Sequence, residues 1–304
     1  MKTRKQTRPA FTLLEMLVVI SIIGLLAALS LSAVFRLQES ARETNTNTGL
    51  RKIHIGLDQQ VKAARDTIAK ETPSAWVANL TSSIDSNGSI VEDKTRAKAL
   101  HMILRMRQEF PQTYAEARAL AGDTAYGPKQ IYTTAIGTGN STPDLEAAAL
   151  LFVVLSQNRG GITFNVEESG RTEVIDVGGK QVRVLMDEYG TPFCLRRWAT
   201  DNEMNMLPAD ELNQPPFVTE KQKLSGNRDL ADPEGRFRNG APRPWNPPYK
   251  NQVRQLFTTI LPTVADPLDG RNRGPYVVSA AKDKQFVTQD DLFSFRIQSS
   301  GKGN

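Results

Sequence analysis

The sequence has very little of the two residue types that most often build metal sites and disulfides. Its 304 residues include one cysteine, Cys194, and two histidines, His54 and His101. A lone cysteine cannot form an internal disulfide, and zinc sites built from paired cysteines are excluded with it. We expect His54 on a helix surface. We expect His101 to be partly buried with its hydrogen bonds satisfied, since no second metal ligand accompanies it.

Motifs that mark enzymes are also missing. The sequence contains no nucleophile elbow, no phosphate-binding glycine loop and no paired metal-ligand motif. A Ser/His/Asp triad needs no local spacing and is the one arrangement that this reasoning leaves open. We therefore predict a protein that is not an enzyme.

The charge is unevenly distributed along the chain. Lys and Arg number 38 against 33 Asp and Glu, a formal net charge of +5. Such an excess is typical of proteins that meet nucleic acid or a membrane surface. Residues 1–10 contain no acid but hold four of the bases, Lys2, Arg4, Lys5 and Arg8. The remaining 34 bases face 33 acids, so we expect no nucleic-acid partner.

A long apolar run follows the basic segment. Residues 16–35 carry no charge, and twenty helical residues at about 1.5 Å each span roughly 30 Å, the thickness of a bilayer core. Their Leu, Ile, Val and Phe side chains favour insertion by on the order of 5 kcal/mol. A cleaved secretory signal would have a shorter apolar region. The positive-inside rule then predicts one span over 11–35, with the amino terminus cytoplasmic and the rest outside.

The boundary between these two segments carries a specific motif. From Arg8 to Glu15 the sequence reads RPAFTLLE, which resembles the leader of type IV prepilins and of type II secretion pseudopilins. In that family a membrane peptidase cuts before the Phe and methylates the new amine. The resemblance implies a leader at 1–10, cleavage between Ala10 and Phe11, and a methylated Phe11.

Glu15 takes the position of the family's buried glutamate. The resemblance implies that it pairs with the amine of Phe11 in a neighbouring subunit, and an ionisable group inside a membrane segment usually has a partner. The alternative is that Glu15 only marks the helix start, where an acid suits the helix dipole. Two positions depart from the family: Ala10 stands where glycine is the norm, and Ser32 where a proline is common.

The rest of the chain predicts an α+β head. Six apolar residues recur at spacings of three and four, which indicates an amphipathic helix that continues the first one through residues 43–49, with or without a break: Leu50, Ile53, Leu57, Val61, Ala64 and Ile68. Further helices are predicted at 91–110 and, after the capping pair Thr142-Pro143, at 145–155. A hairpin over 174–185 with a Gly178-Gly179 turn and a strand at 194–198 form a small antiparallel sheet.

The fold class is therefore α+β, and the resemblance implies a pilin-like arrangement in which a long N-terminal helix packs on this head. We divide the chain into a leader (1–10), a transmembrane and assembly helix (11–35), the head (36–207), a proline-rich loop or insertion (208–248) and carboxyl-terminal strands with an acidic turn (249–304). The turn at 187–193 resembles the one that begins the sheet of major pseudopilins, and an ordinary Gly/Pro turn is the alternative.

The carboxyl-terminal layout also resembles major pseudopilins, in which a strand, an Asp and a later Asp pair hold calcium. The resemblance implies Asp283, Asp290 and Asp291 as ligands, and calcium prefers such oxygen donors. The family's loop glycines are absent, and two lysines flank Asp283. A metal-free acidic turn that caps the last strand is the alternative, and both stay open.

These observations predict a structural pseudopilin-like subunit in a type II secretion or type IV pilus-like system. Its expected partners are prepilin peptidase, other pilin-like subunits and an assembly platform. Its expected place is the bacterial inner membrane, with the head in the periplasm or otherwise outside the cytoplasm. The alternative function is a minor pilin or membrane-anchored binding module that contacts secreted substrate, a surface or DNA.

Overall fold

A computed structural model describes residues 13–196, 251–253, 255–256, 275–286 and 290–294. The predicted leader, the cleavage pair Ala10 and Phe11, and the proline-rich segment 208–248 lie outside the described residues. The chain divides into two compact units, Met1–Asn45 and Thr46–Asn304. We call the second unit the head.

The first element is a single long helix, α1, from Leu13 to Ile68. Its 56 residues contain no proline, so no position lacks the backbone N–H that an α-helix needs. Glu15 in its first turn and Arg65 in its last turn suit the helix dipole. The helix continues through residues 43–49 and through Ser32, so the break left open at 43–49 is not present.

The second half of α1 buries the predicted apolar face in the head. Its six apolar positions are each no more than 5 % exposed, and they belong to the main core cluster. The intervening charged residues Arg51, Lys52, Asp58 and Lys62 are exposed. The amphipathic pattern is therefore confirmed, and burial of this face ties α1 to the head.

Between residues 75 and 155, all of which the structure describes, five shorter helices follow, and two of them were predicted. They are α2 (Ala75–Leu80), α3 (Lys94–Glu109), α4 (Tyr114–Arg118), α5 (Gln130–Ala135) and α6 (Pro143–Leu155), with a 3-10 turn at Val166–Glu168. The hydroxyl of Thr142 caps α6 and Pro143 opens it, as predicted. Seven residues of α6 are buried, which confirms it as a core helix.

The strands in the described ranges form three small antiparallel sheets. The pairs are β1 (Ser83–Ile84) with β2 (Ile90–Val91) and β3 (Arg171–Asp176) with β4 (Gln181–Met186), and the three-stranded sheet has the order β5 (Cys194–Arg196), β6 (Tyr276–Ser279), β7 (Leu292–Phe293). Gly178 and Gly179 both have positive φ, as a two-residue type I′ hairpin turn requires. The predicted hairpin and α+β class are confirmed. Residues 197–198 of the predicted strand lie outside the described residues.

A buried guanidinium connects the helices of the head. Arg159 donates from Nη1 to the Gln60 side chain at 2.9 Å and from Nη2 to the Tyr132 hydroxyl at 2.9 Å. Its Nε lies 3.2 Å from Oε2 of Glu109. Lys129 contacts the other carboxylate oxygen of Glu109, Oε1. Because Gln60, Glu109 and Tyr132 come from α1, α3 and α5, one side chain holds three helices together. We call these residues the Arg159 network.

We expect Arg159→Met to lower the free energy of unfolding by about 3–5 kcal/mol, since removing one partner leaves buried polar groups unsatisfied. The measurement is denaturant unfolding of the detergent-solubilised chain. Arg171→Met is the matched control, because Arg171 and Glu173 form an ion pair with side chains 61 % and 34 % exposed. An exposed pair contributes less than about 1 kcal/mol, so equal losses in both variants would contradict the role of Arg159.

Candidate functional site

The first half of α1 exposes an unusual amount of apolar surface. Of nineteen exposed large apolar side chains among the described residues, fifteen lie between residues 13 and 37. Their exposed fractions run from 47 % at Val18 to 85 % at Leu13. Soluble proteins rarely expose contiguous apolar patches of this extent, and such patches mark interaction or membrane surfaces.

This apolar surface surrounds the helix and does not form a stripe. The consecutive residues Met16, Leu17, Val18, Val19 and Ile20 are all apolar and 47–64 % exposed. Successive helical residues point about 100° apart, so five in a row cover every side. A helix that is apolar all round needs apolar cover on all sides. One partner helix on one side would not suffice.

The serine side chains in this half of α1 are compatible with apolar surroundings. The hydroxyls of Ser21 and Ser30 donate to the backbone carbonyls of Leu17 and Leu26, each at 2.8 Å. A hydroxyl that is already hydrogen-bonded within its own helix costs less to bury in an apolar environment. The two serines therefore do not oppose burial of this segment.

Glu15 is the exception in this half. It lies exposed in the first turn of α1, and the next charged residue along the chain is Arg36. Its position favours the helix dipole, which agrees with the alternative that it marks the helix start. Phe11 lies outside the described residues, so the pairing of Glu15 with a Phe11 amine stays a prediction, as does cleavage after Ala10.

The membrane span predicted at 11–35 is not confirmed. In the part of the chain that the structure describes, no helix has both the length and the hydropathy needed to cross a membrane.

The acidic carboxyl-terminal turn is held by hydrogen bonds between its own carboxylates and backbone. Asp290 accepts from the backbone N–H of Lys282 at 3.1 Å and of Asp283 at 3.0 Å through the same oxygen. Asp283 accepts from the N–H of Gln285 at 2.8 Å, and Asp291 is buried. These bonds support the metal-free alternative, in which the carboxylates cap the turn.

The three carboxylates of the acidic turn do not form a cluster in the described residues. Across the described ranges, no three His, Cys, Asp or Glu side chains converge to hold a metal ion. The positions with left-handed backbone in this turn are Ala281 (φ 48°) and Lys284 (φ 60°), where glycine would adopt that conformation without strain. The calcium site predicted at Asp283, Asp290 and Asp291 stays a prediction.

The turn at 187–193 is joined to the end of β6 through Asp187. Asp187 accepts from the N–H groups of Tyr189 and Thr191 and from the Ser279 hydroxyl at 2.6 Å. Burial raises the pKa of Asp187, and these hydrogen bonds oppose that shift. Gly190 provides the left-handed residue, with φ at 80°. Because Ser279 ends β6, one carboxylate links the turn before β5 to the neighbouring strand.

Both histidines have structural surroundings. His101 is buried, with Nδ1 2.8 Å from the Tyr126 hydroxyl and Nε2 3.3 Å from a carboxylate oxygen of Glu71. The expected burial is confirmed, and the expected hydrogen bond is made at Nδ1, whereas Nε2 makes only the ion-pair contact with Glu71. The expectation for His54 is wrong, because it is half-buried with Nδ1 3.0 Å from the Ser294 hydroxyl. Ser294 follows β7, and no local sequence signal indicated that this strand packs near α1.

Sequence reasoning missed the Arg159 network entirely. Glu109 and Arg159 are fifty residues apart, and both are less than 10 % exposed. Isolated charges in a sequence usually predict surface positions. The signal available was weak: Arg159 precedes a Gly-Gly pair directly after the apolar α6.

The comparison with known families concerns the first half of α1 and the residues before it. A family model described as the prokaryotic N-terminal methylation motif matches residues 7–31. The chain carries a prepilin-type N-terminal motif. No curated protein and no solved structure matches the chain. The motif supports a type IV pilin-like subunit, and the long first helix followed by helices and small antiparallel sheets agrees with a pilin-like layout.

Burial lowers the pKa of His101 below its ordinary value of 6.5, and the nearby Glu71 opposes that shift. A folded-state pKa below the unfolded value means that protonation favours unfolding, so stability falls as pH drops through about 6.5. We expect the melting temperature to fall between pH 7.5 and 5.0, and to fall less in His101→Gln. The check is thermal unfolding at constant ionic strength.

His54→Gln is the companion variant, since burial also lowers the pKa of His54 and the Asp58 charge opposes it. The double variant should show the smallest dependence on pH. The same slope in the native chain and both single variants would contradict the assignment to the two histidines.

Proposed function

We propose that the chain is a pilin-like structural subunit that prepilin peptidase cleaves between Ala10 and Phe11. The observation that carries this proposal is the overlap between the methylation motif at 7–31 and the all-round apolar surface of α1. The motif supports processing and methylation, and the exposed surface supports burial of the same segment after processing. A structural role through one helix requires no catalytic residues, in agreement with the motif.

We propose that the apolar first half of α1 is buried in two different surroundings, one before and one after assembly of the subunit. Before assembly, lipid of the bacterial inner membrane surrounds residues 11–35, with the basic leader in the cytoplasm. After assembly, the equivalent helices of neighbouring subunits replace the lipid. Both surroundings are apolar on all sides, which is what the exposed side chains at 13–37 require.

Glu15 has a defined part in this proposal. In assembled subunits its carboxylate pairs with the methylated amine of Phe11 in a neighbour, which sets the register between helices. An uncompensated charge in an apolar environment is costly, so the pair favours one axial offset over all others.

The system is proposed as type II secretion or a related type IV pilus-like machine, with an assembly platform and other pilin-like subunits as partners. The support is the turn at 187–193, whose Asp187, Gly190 and Phe193 build the entry into β5. The sequences of that turn and of the acidic carboxyl-terminal segment resemble the layout of the major pseudopilin, which further supports this proposal.

The mass of the mature chain tests processing. We expect the protein extracted from membranes of its own host to begin at N-methylated Phe11, because the peptidase removes residues 1–10. The measurement is intact mass followed by amino-terminal peptide sequencing. A chain that still begins at Met1, or one cut beyond residue 33, would overturn the prepilin assignment.

The role of Glu15 is tested by Glu15→Val. We expect normal membrane extraction but at least about tenfold less incorporation into filaments, since a charged hydrogen bond contributes about 1.5–3 kcal/mol. The measurement is the ratio of assembled to membrane-pool subunit after shearing. Glu43→Val removes another exposed acid of α1 outside the apolar half and should assemble normally. Normal incorporation of Glu15→Val would exclude the proposed pairing.

A further inference from the structure

Three Asn-x-Ser/Thr triplets occur in the sequence: Asn79–Thr81, Asn87–Ser89 and Asn140–Thr142. Such a triplet is the acceptor pattern for N-linked glycosylation when x is not proline and the segment lies on the surface. The transfer uses the Asn amide and the hydroxyl of the third residue, so both must be reachable. The three triplets differ in whether the hydroxyl of the third residue is accessible in the structure.

In two triplets the third-residue hydroxyl is already engaged. Thr81 is fully buried at the end of α2, and its hydroxyl donates to the Val77 carbonyl at 2.8 Å. Thr142 is the cap of α6, and its hydroxyl accepts from the N–H of Leu145. Using either hydroxyl for another purpose would disrupt a helix end, at a typical cost of about 1 kcal/mol for a cap.

The third triplet lies at the tip of the β1–β2 hairpin. Asn87, Gly88 and Ser89 are all exposed. Within the described residues, neither the Asn87 side chain nor the Ser89 hydroxyl makes a hydrogen bond. Both groups that the transfer needs are therefore in solvent and uncommitted.

The backbone of this tip is held by Asp85. Its carboxylate accepts from the N–H of Asn87 at 2.9 Å and of Ser89 at 2.8 Å. The N–H of Gly88 donates to the Asp85 carbonyl, and Gly88 has φ at 78°, a conformation that glycine adopts readily. Asn87 and Ser89 take part in these bonds only through their backbone N–H groups, so the bonds shape the turn and leave the two side chains free.

The base of the hairpin is anchored to α3. The Ser83 hydroxyl lies 3.1 Å from a carboxylate oxygen of Asp93, the cap of α3, and accepts from Arg96 at 3.1 Å. Arg96 is fully buried. The tip is thus presented on a supported hairpin and not on a loose terminus, which suits an enzyme acting on the folded head.

We propose that Asn87 is an N-glycosylation site that receives an oligosaccharide from a lipid pyrophosphate donor. The Asn87 amide nitrogen forms a bond to the anomeric carbon of the sugar and loses one proton. The bond from that carbon to the pyrophosphate oxygen breaks, and the lipid pyrophosphate leaves with the electron pair. The inference rests on the proposed function, because the transfer requires the head to be outside the cytoplasm.

The test uses the full chain purified from membranes of its own host. Peptides that contain Asn87 are analysed by mass spectrometry, together with those that contain Asn79 and Asn140. We expect a sugar-containing mass increase on the Asn87 peptide alone. It should disappear in Ser89→Ala, which keeps the acceptor amide but removes the hydroxyl. It should persist in Asn140→Gln, the matched control.

Three results would overturn the proposal: an unmodified Asn87 peptide, a gain of 1 Da only, which is deamidation at the Asn-Gly pair, or a glycan unaffected by Ser89→Ala. The amino terminus of the same sample separates the two proposals. A chain beginning at Phe11 with a bare Asn87 rejects glycosylation alone. A chain beginning at Met1 rejects the proposed processing.

Discussion

The head depends on the buried guanidinium of Arg159, which connects α1, α3 and α5 through Gln60, Glu109 and Tyr132. A buried cation is tolerated only when its donors are satisfied and a counter-charge is close. Here the carboxylate of Glu109 provides the charge and neutral oxygens take the remaining donors. Since these partners are far apart in sequence, the network exists only when the helices have their native arrangement. It therefore favours one packing of these three helix segments within the head over others.

The two halves of α1 differ in how their apolar side chains are distributed and buried. After residue 45 the apolar side chains occupy one face and are buried by the head, as the core positions Leu50 and Ile53 show. Before it they occupy every side and are exposed. An apolar face can be buried by one partner, whereas a helix that is apolar on every side must be surrounded by apolar groups. The prepilin-type motif and the proposed change from lipid to neighbouring helices agree with that difference.

The sequence predicted the elements whose signal is local. Helical spacing identified the second half of α1, the Thr142-Pro143 cap identified α6, and the Gly178-Gly179 pair identified the β3–β4 turn. It did not identify α2, α4 or α5, which are six residues or shorter, since too few residues recur to define a period. It placed His54 wrongly because a half-buried position depends on which distant strand packs beside it.

The amino-terminal motif, the apolar run of α1, the amphipathic face and the hairpin turn were determined by the sequence, since each depends on residues within a few turns of one another. Only the tertiary structure decided the roles of the isolated polar residues. It joined Glu109 to Arg159, directed the carboxylates of Asp187 and Asp290 to nearby donors, and left the side chains of Asn87 and Ser89 in solvent. The physical reason is that burial and partnership of a polar side chain depend on distant segments of the chain, which spacing along the sequence does not encode.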